Sequence, residues 1–214
     1  MKYDLNEARK SIDALDKRRL ERALLGSGDA FRHIVSLMPF LLHLNHPTLP
    51  GYVEDAPAGI TDFILSNYQQ DFLSKEHSEL AESVQSAVNS DDVFAPILGI
   101  YVMGSFGSIS QTSASDLDIW ICHQDDLSEQ EQQRLAEKTK KISQWASTYH
   151  VEMHFYLMTQ QRFRNERYSD PLTKENSGSA QYMLLLEEFY RSAVRLAGKP
   201  LLWLHLWVED EKQY

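Results

Sequence analysis

Hydrophobic positions in the first 95 residues recur at helical spacing. Asp4 can cap a helix whose apolar side chains lie on one face, and a second helix is predicted to begin near Asp29. Because proline removes a backbone donor, Pro39 is expected to kink or break that second helix. Residues 66–88 indicate one or two polar helices. The pattern therefore predicts a helical N-terminal segment, residues 1–95, that packs on the rest of the chain.

From residue 96 onward the apolar runs become short and rich in β-forming residues. They predict three buried strands, at residues 97–103, 117–122 and 151–158. A helix lies between the second and the third strand, and its start is marked by a capping box of Ser128 and Glu131. A last helix is predicted for residues 180–197. This order of elements predicts an α+β fold in which a small mixed β-sheet is covered by helices.

Charge restricts the partners that the chain can bind. Its 21 lysines and arginines are outnumbered by 31 acidic residues, which gives a net charge of −10. Proteins that bind nucleic acid usually present a basic face, because counterion release supplies much of their affinity, so nucleic acid is not expected as a partner. A small polyanion that arrives with a divalent metal fits better, because the metal offsets the repulsion.

The sequence contains no pattern typical of a membrane span or a secretory signal. No apolar run reaches the roughly 18 to 20 residues that a membrane helix needs. The first residues include charged ones and no apolar run. The single cysteine, Cys122, rules out an internal disulfide and suits a reducing compartment. We therefore expect a cytoplasmic protein.

Asp116 and Asp118 form the first half of a candidate site. They are two residues apart on a predicted strand, so both side chains point to the same face of the sheet. Two carboxylates this close raise each other's pKa unless a cation lies between them. Mg²⁺ prefers hard oxygen ligands and usually takes one or two carboxylates together with substrate phosphates. The pair therefore predicts a divalent-metal site.

A turn rich in glycine and serine forms the second half. Gly104 lets the backbone come close to a phosphate, and Ser105 adds a hydroxyl donor. Glu152, an acid in the third predicted strand, would lie near the aspartate pair if the two strands are neighbours. Three carboxylates could hold two metal ions about 3.5 to 4 Å apart, the spacing of in-line phosphoryl transfer sites.

This arrangement resembles the DNA polymerase β-type nucleotidyltransferase superfamily. The shared pattern is a hydrophobic residue followed by Gly-Ser, ten residues, Asp-x-Asp and an acid on a later strand. Three longer strings are similar to the class I adenylate cyclases of enteric and related bacteria: LLHLNHPTLPGY (41–52), GIYVMGSFGSISQTSASDLDIWICHQ (99–124) and LLLEEFYRSAVRLAGK (184–199). The resemblance extends from about Arg18 to Trp203.

The resemblance implies both a fold and an activity. Residues 96–214 would form a nucleotidyltransferase-like catalytic core that converts ATP to cyclic AMP and pyrophosphate with Mg²⁺ or Mn²⁺. The ribose 3′-hydroxyl would attack the α-phosphorus, as in a phosphorus–oxygen lyase. Gly104 and Ser105 would hold the triphosphate, and three acids would bind metal and carry catalysis: Asp116, Asp118 and Glu152. Many superfamily members have aspartate at the third of these positions.

Members of that cyclase family are much longer than this chain. The resemblance therefore implies that these residues correspond to the catalytic N-terminal part. In the full-length proteins, a C-terminal regulatory region and the sugar-transport phosphorelay would be the partners.

Helical spacing adds further candidates for binding the nucleotide. Three basic residues fall at i, i+4 and i+8 of the predicted last helix and would share one face, either a triphosphate-binding stripe or an ordinary solvated face: Arg191, Arg195 and Lys199. Ser179 and Gln181 at the start of that helix could add polar contacts, as could Ser115 beside the aspartate pair. His123 and His154 lie near the predicted site, but we expect structural roles for them.

Two alternatives to a cyclase remain open from the sequence. The first is a nucleotidyltransferase of the same fold that acts on a small-molecule or protein acceptor. The second is an ATP-binding fragment without turnover. Formation of cyclic AMP from ATP alone would separate the cyclase from both.

Overall fold

The structure, a computed structural model, describes residues 4–80, 95–106, 108, 111, 115–159 and 187–201. Four helices in these ranges are α1 (Leu5–Leu25), α2 (Asp29–His43), α3 (Asn67–Glu76) and α4 (Glu129–Ser147). Four strands are β1 (Ile97–Met103), β2 (Leu117–His123), β3 (Met153–Thr159) and β4 (Val194–Gly198). Residues 187–192 are also helical.

The four strands form one mixed sheet in the order β3-β2-β1-β4. β1 pairs antiparallel with both β2 and β4, whereas β2 and β3 are parallel. Parallel neighbours need a crossover connection, which α4 supplies between β2 and β3. The predicted small mixed sheet covered by helices is therefore confirmed.

Helix starts follow the capping residues that the sequence indicates. The Asp4 carboxylate accepts hydrogen bonds from two backbone N–H groups of the first turn of α1. Ser128 and Glu131 form the predicted reciprocal capping box at the start of α4. Pro39 does not break α2, which continues to His43. Pro39 is itself buried with most of α2, so packing of this helix outweighs the hydrogen bond that proline removes.

The two faces of the sheet pack differently. One face joins α2 and α4 in the main apolar core, which includes Ile34, Leu41, Ile100, Val102, Ile119, Leu135 and Ile142. Burying a side chain of this size stabilises a fold by about 1.5–3 kcal/mol. The opposite face carries a smaller cluster formed by Tyr101, Met103, Trp120, Cys122, Met158, Phe189 and Ala193. The candidate site lies on this second face, outside the main core.

Backbone hydrogen bonds join the N-terminal segment to the sheet. The N–H of Ile97 donates to the carbonyl of Gly59 (3.1 Å), and the N–H of Thr61 donates to the carbonyl of Ile97 (2.9 Å). The core is therefore continuous across residue 95, and the division into residues 1–95 and 96–214 stays a prediction. No helix in the described ranges is both long and apolar enough to cross a membrane.

The predicted last helix, residues 180–197, is wrong after residue 192. The described part of it is helical only to residue 192, and residues 194–198 form β4, which pairs antiparallel with β1. The sequence Val-Arg-Leu-Ala-Gly suits either a short helix end or an edge strand. Because the buried strand β1 needs hydrogen-bond partners on both edges, tertiary pairing decides in favour of the strand.

Candidate active site

Asp116 and Asp118 lie where β2 begins, on the sheet face that bears the smaller cluster. Asp116 is exposed and directly precedes β2, while Asp118 is half-buried and pairs in register with Met103 of β1 and His154 of β3. The Tyr156 hydroxyl donates to Asp118 Oδ1 at 3.3 Å, and His154 Nε2 lies 4.0 Å from Asp116 Oδ2. Since alternate residues of a strand point to one face, the two acids and these two side chains share one surface.

The Asp118 carboxyl has a raised pKa. Burial is the largest cause, and the neighbouring Asp116 and Glu188 carboxylates act in the same direction. His154 and the hydrogen bond from Tyr156 oppose the rise. Burial and the Asp118 charge also raise the pKa of Tyr156 to about 12, so its hydroxyl stays protonated as a donor at neutral pH. The site therefore concentrates negative charge that a bound cation would stabilise.

Glu152 lies beside the aspartates, but not inside the strand as predicted. The strand expected at 151–158 begins at Met153, so Glu152 precedes it, and its side chain is 74% exposed. Its Oε1 lies 3.2 Å from His154 Nε2, so the imidazole stands between Glu152 and Asp116. In the described ranges, no three His, Cys, Asp or Glu side chains form a group that could hold a metal ion as they stand.

Gly104 is the point where the end of β1 meets the carboxylates. Its φ of +83° lies in the left-handed region that favours glycine. A Cβ atom at this position would lie 3.8 Å from Asp118 Oδ2 and 4.0 Å from Glu188 Oε1. The Gly104 N–H donates to Ser192 Oγ at 2.9 Å. Glycine therefore leaves open a narrow space in front of two acids.

Two of the serines predicted to contact the nucleotide, Ser105 and Ser115, lie in the described ranges. Ser105 lies in the turn after β1, half-buried, and its carbonyl accepts hydrogen bonds from the N–H (3.0 Å) and the hydroxyl (2.6 Å) of Ser108. Ser115 is half-buried and directly precedes Asp116. Ser179 and Gln181 lie outside the described residues. The turn thus closes on itself close to the Asp pair.

The predicted basic stripe does not form, because its residues belong to different elements. Arg191, in the helical segment, pairs with Glu187 on an exposed surface. Arg195 lies in β4 and pairs with Asp13 of α1 at 2.7 Å. Lys199 follows β4. The three residues therefore do not share one face of a helix.

Four side chains lie at the site although they are not assigned to it from the sequence. Glu188 and Ser192 both face Gly104 from the helical segment. Their i, i+4 spacing in the sequence could have indicated that they share one face of a helix. His154 lies between two acids, although a structural role was expected, and Tyr156 follows it on the same face. His123 is buried and bonds to a backbone carbonyl, as a structural residue would.

Comparisons with known proteins support one family. The model of the family described as adenylate cyclase NT domain matches residues 4–204. An adenylate cyclase of Haemophilus influenzae is 63% identical over all of this chain and 26% of the relative. An adenylate cyclase of Pasteurella multocida is 56% identical over the same shares, and one of Escherichia coli K12 is 41% identical over 95% of this chain and 24% of its own. The chain thus spans about a quarter of the length of the curated relatives it matches.

A solved structure of a toxin-antitoxin with AMP-PNP also aligns with the chain. The alignment covers 62% of this chain and 77% of that chain, at 17% identity and a TM-score of 0.28.

Proposed function

The chain belongs to the adenylate cyclase NT domain family, and from this premise we propose that it is the catalytic part of an adenylate cyclase, a phosphorus–oxygen lyase of nucleotidyltransferase fold that forms cyclic AMP and pyrophosphate from ATP. The observation that carries the proposal is the meeting of Asp116, Asp118 and the Gly104 turn at one end of the sheet. The names of the relatives support the same activity.

Mg²⁺ or Mn²⁺ fits the residues at this end of the sheet. Asp116 and Asp118 offer hard carboxylate oxygens on one face. Burial, and after it the charge of Asp116, raises the pKa of Asp118, and a divalent cation would favour the ionised carboxylate. Glu152 is our candidate for a third ligand, and Glu188 faces the same space from the other side. When bound, the metal would activate the ribose 3′-hydroxyl and neutralise charge on the triphosphate.

The residues of the chain would hold the substrate for this reaction. Tyr156 donates to Oδ1 of Asp118, which leaves Oδ2 facing Gly104, where the absence of a glycine side chain would let a phosphate come close to the backbone. Ser105, in the turn after β1, and Ser115, directly before Asp116, are the serines that would contact the phosphates. The His154 imidazole lies between Asp116 and Glu152 and would help to keep these side chains in place. Catalysis of this kind depends on positioning and on charge stabilisation.

A second candidate function is metal-dependent ATP binding without turnover. The observation in its favour is length, because residues outside this quarter of the relatives could complete the site. A transferase acting on a small-molecule or protein acceptor would need such an acceptor for turnover. For the proposed adenylate cyclase, we also propose a cytoplasmic location. Its partners in the full-length protein would be a C-terminal regulatory region and the sugar-transport phosphorelay.

The test is conversion of ATP to cyclic AMP with Mg²⁺ or Mn²⁺ and no acceptor. Asp116→Asn and Asp118→Asn should each lower kcat/KM by at least about 100-fold, because each removes a carboxylate that would bind metal. Asp126→Asn, an exposed acid after β2, is the matched control and should leave activity unchanged. Equal activity in wild type and both site variants would reject the proposal, and metal-dependent ATP binding without product would favour the second candidate.

A further inference from the structure

Helix α1 reaches across the molecule to the chain segment that borders the site. Arg19 donates from Nη1 to the carbonyl of Ala193 at 2.9 Å and from Nη2 to the carbonyl of Ser192. These carbonyls lie at the end of the helical segment 187–192, where a helix leaves acceptors unpaired and carries partial negative charge. The guanidinium thus acts as a C-terminal cap supplied by a distant helix.

The same segment contacts the turn that would hold the triphosphate. Ser192 Oγ accepts a hydrogen bond from the Gly104 N–H at 2.9 Å and donates to the carbonyl of Glu188 at 2.7 Å, so its hydroxyl has a defined orientation. The Glu188 carboxylate faces the Cα of Gly104 from the preceding helical turn. A shift of the segment would therefore move the backbone amide of Gly104.

Polar contacts join α1 to the sheet, beside the apolar packing of Leu20, Ala23 and Leu24 on the main core. The fully buried residues of this 21-residue helix are Asp16 and Ala23. Arg195 of β4 pairs with Asp13 at 2.7 Å, and its Nε lies 3.9 Å from Asp16 Oδ2. Such contacts specify one register of α1, because each donor matches a particular acceptor.

We propose that Arg19 is a positioning residue for the nucleotide site. By holding the carbonyls of Ser192 and Ala193, it fixes the Ser192 hydroxyl and through it the Gly104 amide. The inference rests on the proposed function, because the Gly104 turn matters to activity only if a nucleotide binds there. It also makes α1, which lies outside the predicted catalytic core, part of the active-site support.

The direct test reads the Gly104 amide in the nucleotide-free chain by NMR. Arg19→Ala and Ser192→Ala should each shift its resonance and speed its hydrogen exchange about 2- to 10-fold, the effect of losing one hydrogen bond of ordinary strength. Arg19→Lys, which keeps the charge but loses the forked donor, should have an intermediate effect. Arg18→Ala is the matched control, since Arg18 is exposed and bonds only within α1 among the described residues.

The functional test compares steady-state constants for ATP in the same variants. Arg19→Ala and Ser192→Ala should raise KM about 2- to 10-fold with a smaller change in kcat, and Arg19→Lys should recover part of the loss. The dissociation constant for AMP-PNP with Mg²⁺, measured by calorimetry, should rise in parallel. Thermal unfolding verifies folding, and if Arg19→Ala does not fold, Ser192→Ala and Arg19→Lys carry the comparison.

The two proposals fail in different ways. An unchanged Gly104 amide and unchanged nucleotide constants in folded Arg19 variants overturn the positioning role, even if Asp118→Asn is inactive. A lower melting temperature without these changes also overturns it, because Arg19 would then be only structural. A wild-type chain that makes no cyclic AMP, while AMP-PNP affinity still depends on Arg19, supports the positioning role and rejects the cyclase activity.

Discussion

Gly104 combines a backbone conformation and a position that few other residues could occupy. Its positive φ disfavours any side chain, and its missing side chain leaves room before Asp118 and Glu188. The space alone would admit a methyl group at ordinary contact distance. The cost of substitution therefore lies in the backbone and in the approach of the substrate, two effects that can be measured separately.

We predict that Gly104→Ala lowers stability by about 1–2 kcal/mol, the cost of a left-handed conformation for a residue with Cβ. We expect a larger effect on kcat/KM, about 10-fold or more, because the methyl group faces the carboxylates where phosphate would approach. Urea unfolding and the cyclic AMP assay measure the two. Gly28→Ala is the control, since Gly28 has a negative φ and nothing within 4 Å of the added Cβ. Equal effects of the two substitutions would contradict the prediction.

The position of His154 beside Asp116 could not be predicted from the sequence around His154 alone. The two-residue spacing of Glu152 and His154 was visible in the sequence. The placement of the imidazole against Asp116 required the parallel pairing of β2 with β3. Strand neighbours are not encoded by either strand alone, so the role of His154 could not be derived from its own position.

At the scale of elements, α4 holds the loop after α2 through a buried lysine. Lys138 is 1% exposed, and its Nζ donates to the carbonyl of Leu44 at 2.8 Å and to Asn45 Oδ1 at 3.1 Å. Burial lowers the pKa of Lys138 to about 8. Gly51 of the same loop packs so closely on Ile142 of α4 that a Cβ would lie 2.4 Å from its Cγ1. The loop and α4 therefore form one packed unit.

Lys138→Met should destabilise the protein by about 1–3 kcal/mol, because it leaves two buried acceptors without their donor. The neighbouring Lys140→Met on the exposed side of α4 should change stability by less than about 0.5 kcal/mol. Denaturant unfolding of both variants checks the difference. A Lys138→Met protein as stable as wild type would mean that water replaces the ammonium group.

Residues 194–198 show how tertiary pairing can favour a strand where the sequence predicts a helix. The residues after 192 have a helical charge spacing, yet they extend the sheet as β4. The i, i+4 rule applies only if a helix forms, and here the free edge of β1 supplied a competing set of hydrogen bonds.

At the scale of the whole molecule, the seam between α1 and β4 links stability to pH. Asp16 is buried in this seam, and burial raises the pKa of its carboxyl to about 6 against the opposing charge of Arg195. Since the unfolded carboxyl titrates near 3.8, the folded state binds more protons between about pH 4 and 6. Stability contributed by this group is therefore present at low pH and is lost as pH rises through that window.

We predict that wild type loses up to about 3 kcal/mol relative to Asp16→Asn as pH rises from about 4 to 7. Above pH 7 the difference should stay constant, because the carboxyl is then ionised in both states. Urea unfolding of the two proteins over this pH range measures it. A difference independent of pH would show that Asp16 titrates alike in the folded and unfolded chain.

The sequence by itself determined the features that depend on neighbours along the chain. The caps at Asp4 and Ser128 follow from local hydrogen bonding, and strands β1 and β2 follow from runs of β-forming residues. The common face of Asp116 and Asp118 follows from the two-residue period of a strand. The family resemblance also needed only the order of residues, and the family model supports it.

Tertiary structure decided the contacts between parts of the chain that are far apart. Arg19 bonds to a carbonyl 174 residues away, and Gly104 meets Ser192 only because β1 and the helical segment lie side by side. The exchange of a predicted helix for β4 has the same origin. Local propensities differ by fractions of a kcal/mol per residue, so the unmet hydrogen bonds of a buried strand outweigh them.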